Sequence, residues 1–156
     1  MRTTTLAATG GIDTIQWSDM YLIGLTDLDD DHRRIVALVA DLHAAAVTGA
    51  GAAELSAMLD NLMECFHDHV SVEEGYLARL TDPAGRKHSV RHVAEHAAFF
   101  DRLAALRGRL ANGEDVAVEV DSLGVFLTLT ELIRSDFEMV GHLRREGLMR
   151  SDGTCR

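Results

Sequence analysis

The chain has 156 residues, 47% of them hydrophobic and 26% charged. That balance excludes a disordered chain and fits a single domain able to bury roughly 70% of its unfolded surface. Fifteen basic against 25 acidic residues leave a net charge of −10, which excludes most roles on a phosphate backbone or an anionic membrane surface.

A single proline favours long, uninterrupted helices over a turn-rich β fold. Residues 1–14 are small and polar and are predicted to form a loose arm ahead of one domain at 15–150, with a short tail at 151–156. The N-terminus lacks the basic-then-apolar pattern of a signal peptide, and no run approaches about 18 apolar residues. A cytoplasmic protein with no membrane partner is expected. Residues 17–28, WSDMYLIGLTDL, have no clean period and are predicted to be an ordered extended cap.

From residue 29 to 47 the apolar set Ile35, Leu38, Val39, Leu42 and Ala46 recurs at three and four, a helical spacing. Asp29, Asp30 and Asp31 stand where a helix N-terminus welcomes negative charge. A second helix is predicted over 54–80, with Leu55, Leu59, Leu62, Cys65, Phe66, Val70 and Leu77 inward, and TDPAGR breaks it. A third covers 87–110, with Val93, Ala97, Phe100, Leu103, Leu106 and Leu110 inward; a fourth covers 115–148, with Val116, Val120, Leu123, Leu127, Ile133 and Phe137 inward. Four such helices joined by short loops make an all-α, up-down-up-down antiparallel four-helix bundle. Of the two cysteines, Cys65 reads as a small buried hydrophobe and Cys155 as an exposed one; neither builds a disulfide or thiolate site.

Polar residues interrupt the inward faces. His69 and Glu73 on the second helix, and His92 and His96 on the third, are spaced i,i+4 and share a face. Glu131 and Asp136 on the fourth are i,i+5, about 140° apart on an α-helix, flanking an inward line. The first helix offers His32. Counting residues from each loop, at about 1.5 Å of rise per residue, places all seven within roughly 5 Å of one height. Four imidazoles and three carboxylates exceed a tetrahedral zinc site and suit two higher-coordinate ions, non-haem iron ahead of manganese. Glu73 and Asp136 are the natural bridges between them.

Blander readings apply elsewhere. His43, His67, His88 and His142 read as hydrogen-bonded structural histidines, although Glu64 and His67 form an E-x-x-H pair and His88/His92 could replace His92/His96. Glu74 reads as an outer partner of a ligand or a surface group. Glu131 could be a solvated carboxylate on a misjudged face. No nucleophile is placed beside a base, and there is no glycine-rich phosphate loop.

These residues resemble the hemerythrins, in particular the bacterial hemerythrin-like proteins. W-x-x-x-Y-x-x-G occurs at Trp17, Tyr21 and Gly24, and D-x-x-H at Asp29 to His32. HVSVEE matches the family's H-F-x-x-E-E with Val70 in place of Phe, and RHVAEHAAF matches H-x-x-x-H-x-x-F, with Phe99 selecting His92/His96. W-L-x-x-H-I-x-x-x-D is matched only in part: Leu127 stands at the Trp and Glu131 at the fifth histidine, ahead of Asp136. The resemblance implies two iron ions joined by an oxo or hydroxo bridge. One would be held by His92, His96 and Glu131, the other by His32 and His69 with an open position for dioxygen, and Glu73 and Asp136 would bridge them. The leading expectation is dioxygen binding or sensing at the open iron position. The alternatives are a di-iron enzyme acting on dioxygen or hydrogen peroxide and, behind it, iron storage or detoxification. An anionic donor at Glu131 favours ferric iron, and replacement of Trp by Leu leaves space; both shift the balance toward oxidative chemistry.

Overall fold

TDPAGR does separate the second helix from the third, and it also starts the third, four residues before the predicted onset at 87. In the computed structural model, which describes residues 16–150 and 153–154, the Asp82 side chain accepts hydrogen bonds from the N–H groups of Ala84 (2.8 Å) and Gly85 (3.0 Å), with Pro83 opening the first turn. Proline at that position loses nothing, because its missing N–H would have had no helical partner. The predicted arm at 1–14, part of the tail and Cys155 lie outside the described residues.

Four rods result. Helix α1 spans Thr26–Val47, α2 Ala52–Leu77 and α3 Pro83–Ala111. The fourth rod runs without interruption through α4 (Ala117–Phe126), a π-helical segment (Leu127–Asp136) and α5 (Phe137–Arg145). Each rod packs on its sequence neighbour, and the fourth closes the bundle against α1. The short connections force successive rods to run antiparallel. No helix among the described residues is long and apolar enough to cross a membrane.

The segment before α1 is less extended than predicted. It holds a 3-10 turn at Asp19–Tyr21, and α1 begins three residues early. Asp29 does not face solvent. It is buried, and its carboxylate accepts the N–H groups of Ile23 (2.8 Å) and Gly24 (3.0 Å), folding the incoming chain over the helix end. Gly24 takes φ +84° to make that bend, a conformation side-chain-bearing residues rarely adopt. Asp29→Ala should destabilise the fold by about 1–3 kcal/mol, because the buried Ile23 amide loses its acceptor. The check is the urea midpoint: a fall at constant slope is expected, and an unmoved midpoint would mean the amide has found another partner.

The largest departure from expectation is the π segment. Its i→i+5 hydrogen bonds add a residue to each turn, so side chains five apart stack on one face. Leu127 and Leu132 are both buried, as are Glu131 and Asp136, and so is Ser135. Ile133 and Phe137, predicted inward, are instead 40% and 41% exposed. On α3 the inner line runs through His88, His92, His96 and Phe99, which turns Val93 and Ala97 outward.

The apolar core is consequently split. One cluster gathers Ile35, Leu59, Phe66, Phe99, Leu103 and Leu132 with their neighbours, including the buried Cys65. A second gathers Ile23, Leu28, Leu77, Met139 and Leu143 near the other end. A polar layer lies between them.

Candidate metal centre

All four rods contribute to that layer, and it contains each of the seven side chains singled out by spacing. His32 comes from α1, His69 and Glu73 from α2, His92 and His96 from α3, and Glu131 and Asp136 from the π segment. None is more than 3% exposed.

Two overlapping halves share the layer. In one, His32, His69 and Glu73 bring a donor atom each within 4.8 Å of one another; in the other, Glu73 joins His92 and His96, and His92 joins Glu131 and Asp136. Asp136 spans the halves, with Oδ2 lying 3.2 Å from His32 Nε2 and Oδ1 3.1 Å from His92 Nε2. Glu73 Oε2 lies 3.4 Å from His69 Nε2, 3.6 Å from His92 Nε2 and 2.9 Å from His96 Nε2. Glu131 Oε2 faces His92 Nε2 at 3.5 Å and His96 Nε2 at 3.9 Å.

These atoms are close, yet they do not satisfy one another. The inward Nε2 atoms of His32, His92 and His96 and both oxygens of Glu73, Glu131 and Asp136 are buried without a hydrogen bond of acceptable angle. Orphaned buried polar atoms cost about 1–3 kcal/mol each, and more when charged. Lone pairs that converge on shared points, and not on each other's protons, are what bound cations require. The donor set, imidazole and carboxylate with no thiolate, fits iron.

Protons alone leave the layer divided. Burial and the neighbouring Glu73 charge push Asp136 up to about 7, while burial with the nearby His69 and His92 pushes His32 down to about 3. Burial works against charge on Glu73, but the adjoining His69 and His96 imidazoles overcome it and hold this carboxyl well below its usual range. Burial likewise opposes a charge on His92, which Asp136 and Glu131 nevertheless raise to about 10. Adjacent groups are driven in opposite directions, as expected where several titratable groups share one dry cavity.

An outer partner fixes one of the rings: His96 Nδ1 is hydrogen-bonded to Glu74 Oε1 at 3.3 Å, which turns Nε2 inward. His69 Nδ1 lies 4.0 Å from Asp31 Oδ2, beyond hydrogen-bond range. Glu74 therefore takes the outer role considered for it. Phe66 closes the apolar side, its ring centroid 5.9 Å from that of His69, 6.0 Å from His96 and 4.3 Å from Phe99. Next to Leu127, Phe126 stacks on Phe99 with centroids 6.1 Å apart, so aromatic bulk comes from the adjacent position. Glu64 and His67 are exposed and take no part.

Spacing did not reveal Glu95. Lying between His92 and His96 on α3, it accepts hydrogen bonds from Arg134 and from the buried Ser135, both in the π segment, and so ties that segment to the histidine helix. A carboxylate among other surface charges carries no periodic signal; only the cross-helix contact identifies it. Glu95→Ala should speed amide exchange across residues 131–136 by about tenfold or more, the equivalent of losing one to two charged hydrogen bonds. Unchanged exchange there would show that the π geometry holds without this tie.

The Hemerythrin HHE cation binding domain family matches residues 23–146. Bacteriohemerythrin of Stenotrophomonas maltophilia (strain R551-3) is 30% identical over 107 residues, covering 69% of this chain and 67% of its own. The Bacteriohemerythrins of Pseudomonas aeruginosa (strain LESB58) and Pseudomonas paraeruginosa (strain DSM 24068 / PA7) are each 31% identical over the same shares. No solved structure gives a significant match. With the family match extending over the bundle and its polar layer, the chain belongs to the hemerythrin family.

Proposed function

We propose that the seven-residue layer holds two iron ions and that the protein binds dioxygen there. The observation that carries this is Asp136, which sends one oxygen toward each half of a donor set whose buried lone pairs have no other partner. His92, His96 and Glu131 would hold one ion and His32 and His69 the other, with Glu73 and Asp136 shared between them. Bound iron supplies the reversible oxidation and the open coordination on which oxygen chemistry depends.

The chain supplies the rest. Glu74 receives the Nδ1 proton of His96, which keeps that ring's Nε2 lone pair directed inward, while the Asp31 carboxylate stands 4.0 Å from His69 Nδ1. Phe66 and Phe99 exclude water on the side facing the larger apolar cluster. His32 and His69, with fewer carboxylates around them than the other half, would leave one coordination position for a small diatomic ligand.

A second reading, oxidative consumption of dioxygen or hydrogen peroxide, is favoured by one residue. Glu131 is buried and faces both α3 histidines, so it adds negative charge where an imidazole would add none. The test is to count iron per chain, then to follow the visible spectrum of the reduced protein in air and in peroxide. Two irons and a reversible band are expected. Irreversible oxidation with peroxide turnover would favour the second reading, and a chain that retains no iron would overturn both.

A further inference from the structure

The histidines His88 and His142, read from sequence as structural, pair with a carboxylate of their own. His88 lies on α3 one turn before His92, while Glu138 and His142 lie i,i+4 on α5, which packs against α3. The two imidazoles are buried, 1% and 4% exposed, while Glu138 reaches the surface at 40%. One donor atom from each of the three lies within 4.8 Å of the others. Glu138 Oε1 stands 3.6 Å from His88 Nδ1 and 3.8 Å from His142 Nε2.

The nitrogens that face Glu138 are His88 Nδ1 and His142 Nε2. The opposite nitrogens, His88 Nε2 and His142 Nδ1, are buried without a hydrogen bond, so neither ring is anchored from behind by one. The carboxylate of Asp82, on the far side of His142, sits 4.0 Å from Nδ1, an orientation that turns Nε2 toward Glu138. A positive charge already rests in the cluster, since the Arg91 guanidinium lies 3.0 Å from His88 Nδ1 and pairs with Glu138. Arg91 is 43% exposed, and its side chain can swing out to solvent.

We propose that His88, Glu138 and His142 form a mononuclear site for a first-row divalent cation, separate from the seven-residue layer, with Arg91 competing for the same place. Two imidazoles and one carboxylate suit zinc or ferrous iron and leave a coordination position for water. They offer too few oxygens for calcium or magnesium. Because Glu138 is exposed, the ion exchanges with solvent without disturbing the buried layer.

The experiment uses the full chain carrying its iron, equilibrated with Zn2+, passed over a desalting column and assayed for both metals. One zinc per chain beyond the iron is expected, with iron unchanged. Glu138→Gln, at a surface position that leaves the core intact, should weaken zinc binding by more than about tenfold. His142→Ala should abolish it, and Arg91→Ala should tighten it. No additional zinc in the wild type, zinc uptake indifferent to Glu138→Gln, or uptake matched by loss of iron would each overturn the site. The fraction of zinc that depends on Glu138 is the tested quantity whatever metal occupies the larger layer, so failure of the di-iron reading would not be mistaken for failure here.

Discussion

Chelating the metal should lower the melting temperature by well over 5 °C, more than about 2 kcal/mol for a chain of this size. Glu73, Glu131 and Asp136 are buried with both oxygens unpartnered, beside imidazoles in the same condition. Without cations these groups can offset their burial only by poorly aligned pairing between carboxylates and imidazoles, or by taking up protons at a cost. Any ion that binds the folded layer and not the unfolded chain adds its binding free energy to stability. The smaller apolar cluster, around Leu28, Leu77 and Met139, should loosen first, since the polar layer separates it from the larger one. Superimposable melts of chelated and iron-saturated protein would show that the layer does not organise the fold.

Glu131→His should raise the midpoint potential of the centre and make its oxygenation more readily reversible, while any peroxide turnover falls. Glu131 Oε2 faces the His92 and His96 nitrogens from a buried position, so its charge is poorly screened and favours ferric over ferrous iron. A neutral imidazole removes that bias. Glu131→Ala should instead weaken the iron on the His92/His96 side alone, leaving the other ion bound longer during chelation. A potential that does not rise in Glu131→His would remove Glu131 from the coordination shell. Unaltered iron stoichiometry in Glu131→Ala would point the same way.

The number of rods and the identity of the converging residues were legible because both depend on short-range regularities. Helical spacing places His69 with Glu73 and His92 with His96, and short loops fix how far along the bundle each pair falls. The register of the fourth rod was not legible. Leu127 to Asp136 contains no residue that dictates a π turn, so α-helical spacing points Ile133 and Phe137 inward where the structure buries Leu132 and Ser135. What accompanies that geometry is tertiary: Glu95 on α3 holds Arg134 and Ser135, a contact that no local spacing encodes. The start of the third helix at Pro83 was not legible for a different reason. The same residue types that break a chain also begin a helix, and only the partners of the Asp82 oxygens distinguish the two.

The π segment also governs how this domain responds to changes in length. A π turn holds one residue more than an α turn while the rod continues in both directions. Removing a single residue between Glu131 and Asp136 would let the rod relax into ordinary α-helix, with favourable hydrogen bonding and no gap in the backbone. Helix content would be kept, but Glu131 and Asp136 would become i,i+4 neighbours while Glu95 lost its paired hold on Arg134 and Ser135. In the shortened chain the two carboxylates would still share a face, as i,i+4 residues do, but every residue beyond the deletion would shift by one position against its neighbours, whereas substitutions in the segment preserve that register.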